Sequence, residues 1–110
     1  MASDDTAART FELLREEWTT DKGKELRIVS CRLTPEGGLH VDGYDLGPGV
    51  KAFWGDSDYE YGIKLSPEDT RKLLPHLLKL VVTGTEPLSI DGLRKLCDAH
   101  GLKPNFWSWV

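Results

Sequence analysis

Ten residues near the middle of the chain leave little choice of secondary structure. From Asp56 to Leu65, Tyr59, Tyr61, Ile63 and Leu65 fall on one side of an extended backbone, and Asp56, Asp58, Glu60 and Lys64 fall on the other. Period-two alternation marks a half-buried strand, whereas a helix would scatter the same residues around its circumference. Upstream, Leu39 and Val41 alternate with His40, Asp42 and Tyr44 in a weaker form of the same pattern. Between the two runs lie Gly43, Gly47, Pro48, Gly49 and Gly55, and a Gly-Pro-Gly run continues neither a helix nor a central ladder. The chain is therefore expected to leave one strand at Leu46, make an ordered excursion over 47–55 anchored by Phe53 or Trp54, and return as a second strand. An excursion of this length in a compact domain is functional or packed on itself.

The flanking elements follow from the same periodicity argument. Ala7, Phe11, Leu14 and Trp18 recur at i, i+4, i+7 and i+11, which predicts an amphipathic helix over 4–18 capped by Ser3, Asp4 or Asp5. Glu25 to Leu33 reads as a strand with apolar residues on both sides, hence covered at least in part on both faces. Thr34-Pro-Glu-Gly-Gly38 is a tight turn into the strand at 39–46. Ser66-Pro67-Glu68-Asp69 is a strong helix start. That helix is expected to reach Val82, kinked or restarted at Pro75, with Leu73, Leu74, Leu77, Leu78, Val81 and Val82 as its core face. Ser89 caps a further helix ended by Gly101, and the tail from Phe106 to Val110 is expected to run extended. The resulting fold class is α+β in a single domain over 1–110. It has an antiparallel sheet of three or four strands with helices packed against it. The order is α-β-β-β-α-α, closed by a short strand in the tail.

Charge narrows the function classes. The chain carries a net charge of −4. Residues 36–60 hold Glu36, Asp42, Asp45, Asp56, Asp58 and Glu60 against Lys51 alone, so the acidity belongs to this one region. A nucleic-acid backbone needs a basic patch, and nucleic acid is therefore not expected as a partner. The apolar runs are too short to span a bilayer, and the start Met-Ala-Ser-Asp-Asp has neither a basic nor an apolar leader region, so a cytoplasmic location without membrane association is expected. Cys31 and Cys97 then read as buried thiols.

Catalytic and metal-binding readings fare worse than a binding surface. Asp56, Asp58 and Glu60 follow a spacing like the start of a calcium loop, but Tyr61 stands where that loop needs glycine and Pro67 where it needs glutamate. His40 with Asp42 or Asp58 could form an acid–base pair, yet no nucleophile is placed beside it, and His76 and His100 read as structural. No catalytic residue, metal ligand or cofactor is therefore assigned. The alternative is an enzyme or metal-dependent site built on His40 and the carboxylates of 42–60. Exposed aromatics beside carboxylates make an interaction hot spot with an acidic rim. The partner-binding set is Asp42, Tyr44, Asp45, Phe53, Trp54, Asp56, Asp58 and Glu60. The expected partner is a basic protein, and the aromatic tail is also suited to docking on a second copy or another chain.

The run Asp45-Leu-Gly-Pro-Gly-Val50, with Phe53-Trp54-Gly55-Asp56 and Asp58-Tyr-Glu-Tyr61, resembles a group of short bacterial proteins of unestablished function. His100-Gly-Leu and Phe106-Trp-Ser resemble their C-terminal end, so the likeness covers residues 25 to 108. It implies no activity and no site residues. In size and acidity the chain is also similar to immunity proteins of bacterial toxin systems, which implies a toxin as the basic partner.

Overall fold

Five strands succeed one another across one antiparallel sheet in chain order, β1-β2-β3-β4-β5. The computed structural model describes residues 10–54, 58–84 and 88–109, the side chains of 52–54 excepted. The strands are β1 (Thr10–Thr20), β2 (Gly23–Leu33), β3 (Leu39–Leu46), β4 (Asp58–Leu65) and β5 (Asn105–Trp109). A short helix α1 (Pro48–Trp54) lies between β3 and β4, and α2 (Pro67–Thr83) and α3 (Ile90–Ala99) lie between β4 and β5.

This corrects the expected architecture in two places. The predicted helix over 4–18 is replaced, over its described part, by β1; residues 1–9 lie outside the described residues. Its register against β2 slips between Glu12 and Leu14. Such a bulge adds one residue to the strand and so reverses the phase of the alternation. Phe11, opposite Cys31, and Leu14, opposite Val29, therefore share a face although three residues apart. Trp18 joins them with regular alternation. A bulged strand has thus reproduced the i, i+3 spacing of a helix.

The second correction concerns the excursion, part of which is helical. Gly47, at φ 140°, turns the chain, and Pro48 opens α1. Proline at a first helical position loses nothing, since that N–H has no partner within the helix. The buried Glu25 carboxylate of β2 accepts the Gly49 N–H at 2.8 Å. A Cβ on Gly47 would fall 2.7 Å from Glu25 Oε1, and one on Gly49 would fall 2.9 Å from it. The two glycines thus make the room in which Glu25 sits.

The remaining elements lie close to where local signals put them. The Thr34 turn closes through Gly37 N–H to the Thr34 carbonyl at 2.9 Å and Gly38 N–H to Thr34 Oγ1 at 2.9 Å. Ser66 Oγ accepts the Asp69 N–H, and Ser89 Oγ accepts the Gly92 N–H, each capping its helix. Gly84 in the left-handed region ends α2. The helix runs through Pro75 without restarting, contrary to one expectation. Its core face is also narrower than expected. Leu73 is buried and Leu77 packs against the core, whereas Leu74, Leu78, Val81 and Val82 are exposed.

Register assigns the paired strand residues to a face. Val29 and Cys31, Leu39 and Val41, and Ile63 and Leu65 lie on the face that carries the core. There they join Leu73 of α2, Ile90, Leu93 and Cys97 of α3, and Leu102. Both cysteines are free thiols. The opposite face presents Leu26 and Ile28 of β2, both half-buried, so the strand is covered in part on each face, with the core on one of them. α3 is tied to β5 by the Arg94 guanidinium, 3.9 Å from the centre of the Phe106 ring. α2 and α3 meet where the His76 and His100 rings stack at 3.6 Å.

Candidate functional site

On the face away from the core, antiparallel pairing sets side chains from β2 to β5 side by side in rows. The first row is Arg32, His40, Lys64 and Asn105. The next is Ser30, Asp42, Gly62 and Trp107, and a third is Ile28, Tyr44, Glu60 and Trp109. Most of these line an open cleft of about 460 Å³. One end is basic, from Arg32 and Lys64, the middle holds Asp42 and Trp107, and the other end holds Tyr44 and Glu60.

A glycine lies beneath the Trp107 indole. Gly62 is buried, and a Cβ there would lie 2.5 Å from the Val41 carbonyl oxygen, 2.9 Å from Trp107 Nε1 and 3.0 Å from Asp42 Oδ1. Only a residue without a side chain lets the indole approach the β4 backbone this closely. An aromatic side chain packed over a glycine on the neighbouring strand restores the contact that the glycine cannot make. The same arrangement recurs on the core face, where Tyr61 covers Gly43 so closely that a Cβ would fall inside its ring contact.

Two enclosed polar atoms of the cleft, His40 Nδ1 and Trp107 Nε1, have no hydrogen-bond partner among the described residues. Burial, with the neighbouring Arg32 and Lys64 charges, holds the His40 pKa below its ordinary value, opposed by Asp42. The imidazole is therefore neutral at pH 7, an uncharged spacer between two cations.

The expected partner-binding residues divide between the two faces. Asp42, Tyr44 and Glu60 line the cleft. Asp58 stands on the same face one row further on, opposite Leu46. Asp45 is on the core face, committed to the fold. Arg27 Nε and Nη2 donate to its two oxygens at 2.9 and 3.0 Å, and Tyr61 Oη donates to Oδ1 at 3.1 Å. The Tyr61 hydroxyl is pushed up to about 12, by burial first and then by the Asp45 charge. Phe53 and Trp54 belong to α1, but their side chains, like Asp56, lie outside the described residues. The anchoring role expected of either aromatic lies there too.

Arg32 and Lys64 were given no site role by the sequence, and Trp107 was expected only as part of an aromatic tail near the surface; strand register brings all three to one cleft. His40 and Asp42 are neighbours on the cleft face, while Asp58 is three rows from His40. Among the described residues no group of three His, Cys, Asp or Glu side chains is gathered to hold a metal ion. No described helix is long and apolar enough to cross a membrane. No protein-family model, curated protein or solved structure matches the chain.

Proposed function

We propose that this chain is a protein-binding module whose open sheet face receives a basic side chain of its partner. The observation that carries the proposal is the convergence of Asp42, Tyr44, Glu60 and Trp107, from three strands, in two adjoining rows of a single cleft. Carboxylates beside aromatic faces suit a guanidinium or ammonium group, which gains a charge-assisted hydrogen bond and a cation–π contact together. The volume is that of a small-ligand cleft and admits one long side chain with its flanking backbone. Arg32 and Lys64 at the other end favour an acidic group beside the basic one, so a partner of mixed charge fits better than a uniformly basic one. An immunity role, with a toxin as the partner, is the specific form of this reading that the resemblance suggests.

The test is binding to arrayed peptides and candidate basic proteins at low and high salt. Binding should weaken with salt, and Asp42→Lys, Glu60→Lys and Trp107→Ala should each weaken it further. Binding indifferent to salt and to all three substitutions would remove the cleft from consideration.

A further inference from the structure

At the far side of the sheet from the cleft-forming strand β5, β1 is, among the described residues, an edge strand of 11 residues, exposed along its whole length. Phe11, Leu14 and Trp18 line one face of it at 56, 41 and 43% exposure. A long edge with apolar side chains is a template for pairing, and proteins that stay monomeric blunt such edges. Here the bulge lies toward one end, leaving a regular run from Leu14 to Thr20.

We infer that β1 pairs antiparallel with β1 of a second copy about a two-fold axis through Glu16. The side chains select this register. A two-fold at Arg15 sets Arg15 against itself, and one at Glu17 sets Glu17 against itself while Arg15 faces only threonine. With the axis at Glu16, each Arg15 faces Glu17 of the other copy, and each Leu14 faces Trp18. Arg15 and Glu17 share the cleft-side face, opposite Ile28 and Leu26, and Leu14 and Trp18 share the core-side face, so every one of these pairs is on a common side. The two Glu16 carboxylates meet at the axis, but each stands beside Arg27 of its own β2, whose charge already interacts with it. Arg15 also holds Glu12 of its own chain, through Nη2 at 2.8 Å and Nε at 3.2 Å, and a guanidinium carries further donors. The contact is isologous and closes, giving a ten-stranded sheet with both clefts facing the same side.

The experiment is light scattering after size exclusion across a concentration series, with three variants. The wild-type chain should dimerise. Arg15→Glu should weaken dimerisation by about tenfold, since two attractive contacts become repulsive. Arg15→Glu/Glu17→Arg should restore it. Glu16→Cys should cross-link between copies under mild oxidation, because its Cα atoms would stand roughly 5 Å apart. Thr20→Cys, with its Cα atoms roughly 27 Å apart, should behave like the wild type with its two native thiols. A chain that stays monomeric at every concentration overturns the inference. So does a dimer unaffected by Arg15→Glu, or one that cross-links through Thr20→Cys and not Glu16→Cys. Circular dichroism shows whether Arg15→Glu has folded; if it has not, the two cysteine variants decide the matter.

Discussion

Replacing Gly62 with alanine places one methyl group where three atoms already stand. At 2.5 Å from the Val41 carbonyl oxygen, the new Cβ meets backbone of the β3–β4 ladder, which cannot yield without loss of strand pairing. At 2.9 Å from Trp107 Nε1 it also meets the indole, which can yield only by lifting off β4. Overpacking of this kind costs about 1–3 kcal/mol. Loss of part of the indole's burial adds about 1 kcal/mol. The sum, about 2–4 kcal/mol, corresponds to a fall in Tm of roughly 10–15 °C for a chain of this length. Urea denaturation followed by far-UV circular dichroism measures the first quantity, and the Trp107 indole N–H resonance, identified by its absence in Trp107→Phe, reports the displacement. Trp107→Ala should cost less in the Gly62→Ala background than in the wild type, because the contact it removes is already broken. Stability within about 0.5 kcal/mol of wild type, with an unmoved indole resonance, would refute the reasoning.

Two further predictions rest on the core-side cluster. The Tyr61 hydroxyl is raised from 10.0 to about 12. The folded chain therefore retains a proton that the unfolded chain releases, so stability should fall as pH rises from 10 towards 12; the fall should be smaller in Tyr61→Phe and is read by urea denaturation at each pH. Glu25→Ala removes the carboxylate that accepts the Gly49 N–H and leaves a void between Gly47 and Gly49. It should cost about 2–3 kcal/mol and raise hydrogen exchange across 47–51 first, and exchange unchanged there would dissociate Glu25 from the geometry of α1.

The elements readable in the sequence were those specified by neighbours along the chain. Tyr59, Tyr61, Ile63 and Leu65 announce β4 by alternation alone, and Ser66-Pro67 and Ser89 announce their helices because a cap bonds within its own turn. β1 was misread because a bulge is a property of two strands. Nothing in Phe11-Glu-Leu-Leu14 says that Val29 will face Leu14 in place of Leu13. α1 was missed for a related reason. Gly47-Pro48-Gly49 reads as a break until Glu25, more than twenty residues earlier, is seen to occupy the space the glycines leave. The site divides in the same way. Asp42, Tyr44 and Glu60 follow from strand parity, but Asp45 fell on the other face by that same parity and was claimed by Arg27 and Tyr61. Arg32, Lys64 and Trp107 needed the register of three separate ladders.

The position of β5 in the chain has a kinetic consequence. The three ladders from β1 to β4 join strands that are consecutive in sequence, and such pairings close short loops and form early. β5 pairs with β4 only after both α2 and α3 have intervened, so its closure entropy is larger and its docking slower. During synthesis from the N-terminus, β1 to β4 emerge and can zip together while Asn105 to Trp109 are not yet made. Until β5 arrives, the β4 edge is bare, Gly62 is uncovered and the cleft lacks its indole wall. On the proposed function, capacity to bind is tied to the slowest ladder, and a refolding experiment that follows Trp107 separately from sheet formation should resolve two rates, the cleft being complete only with the second.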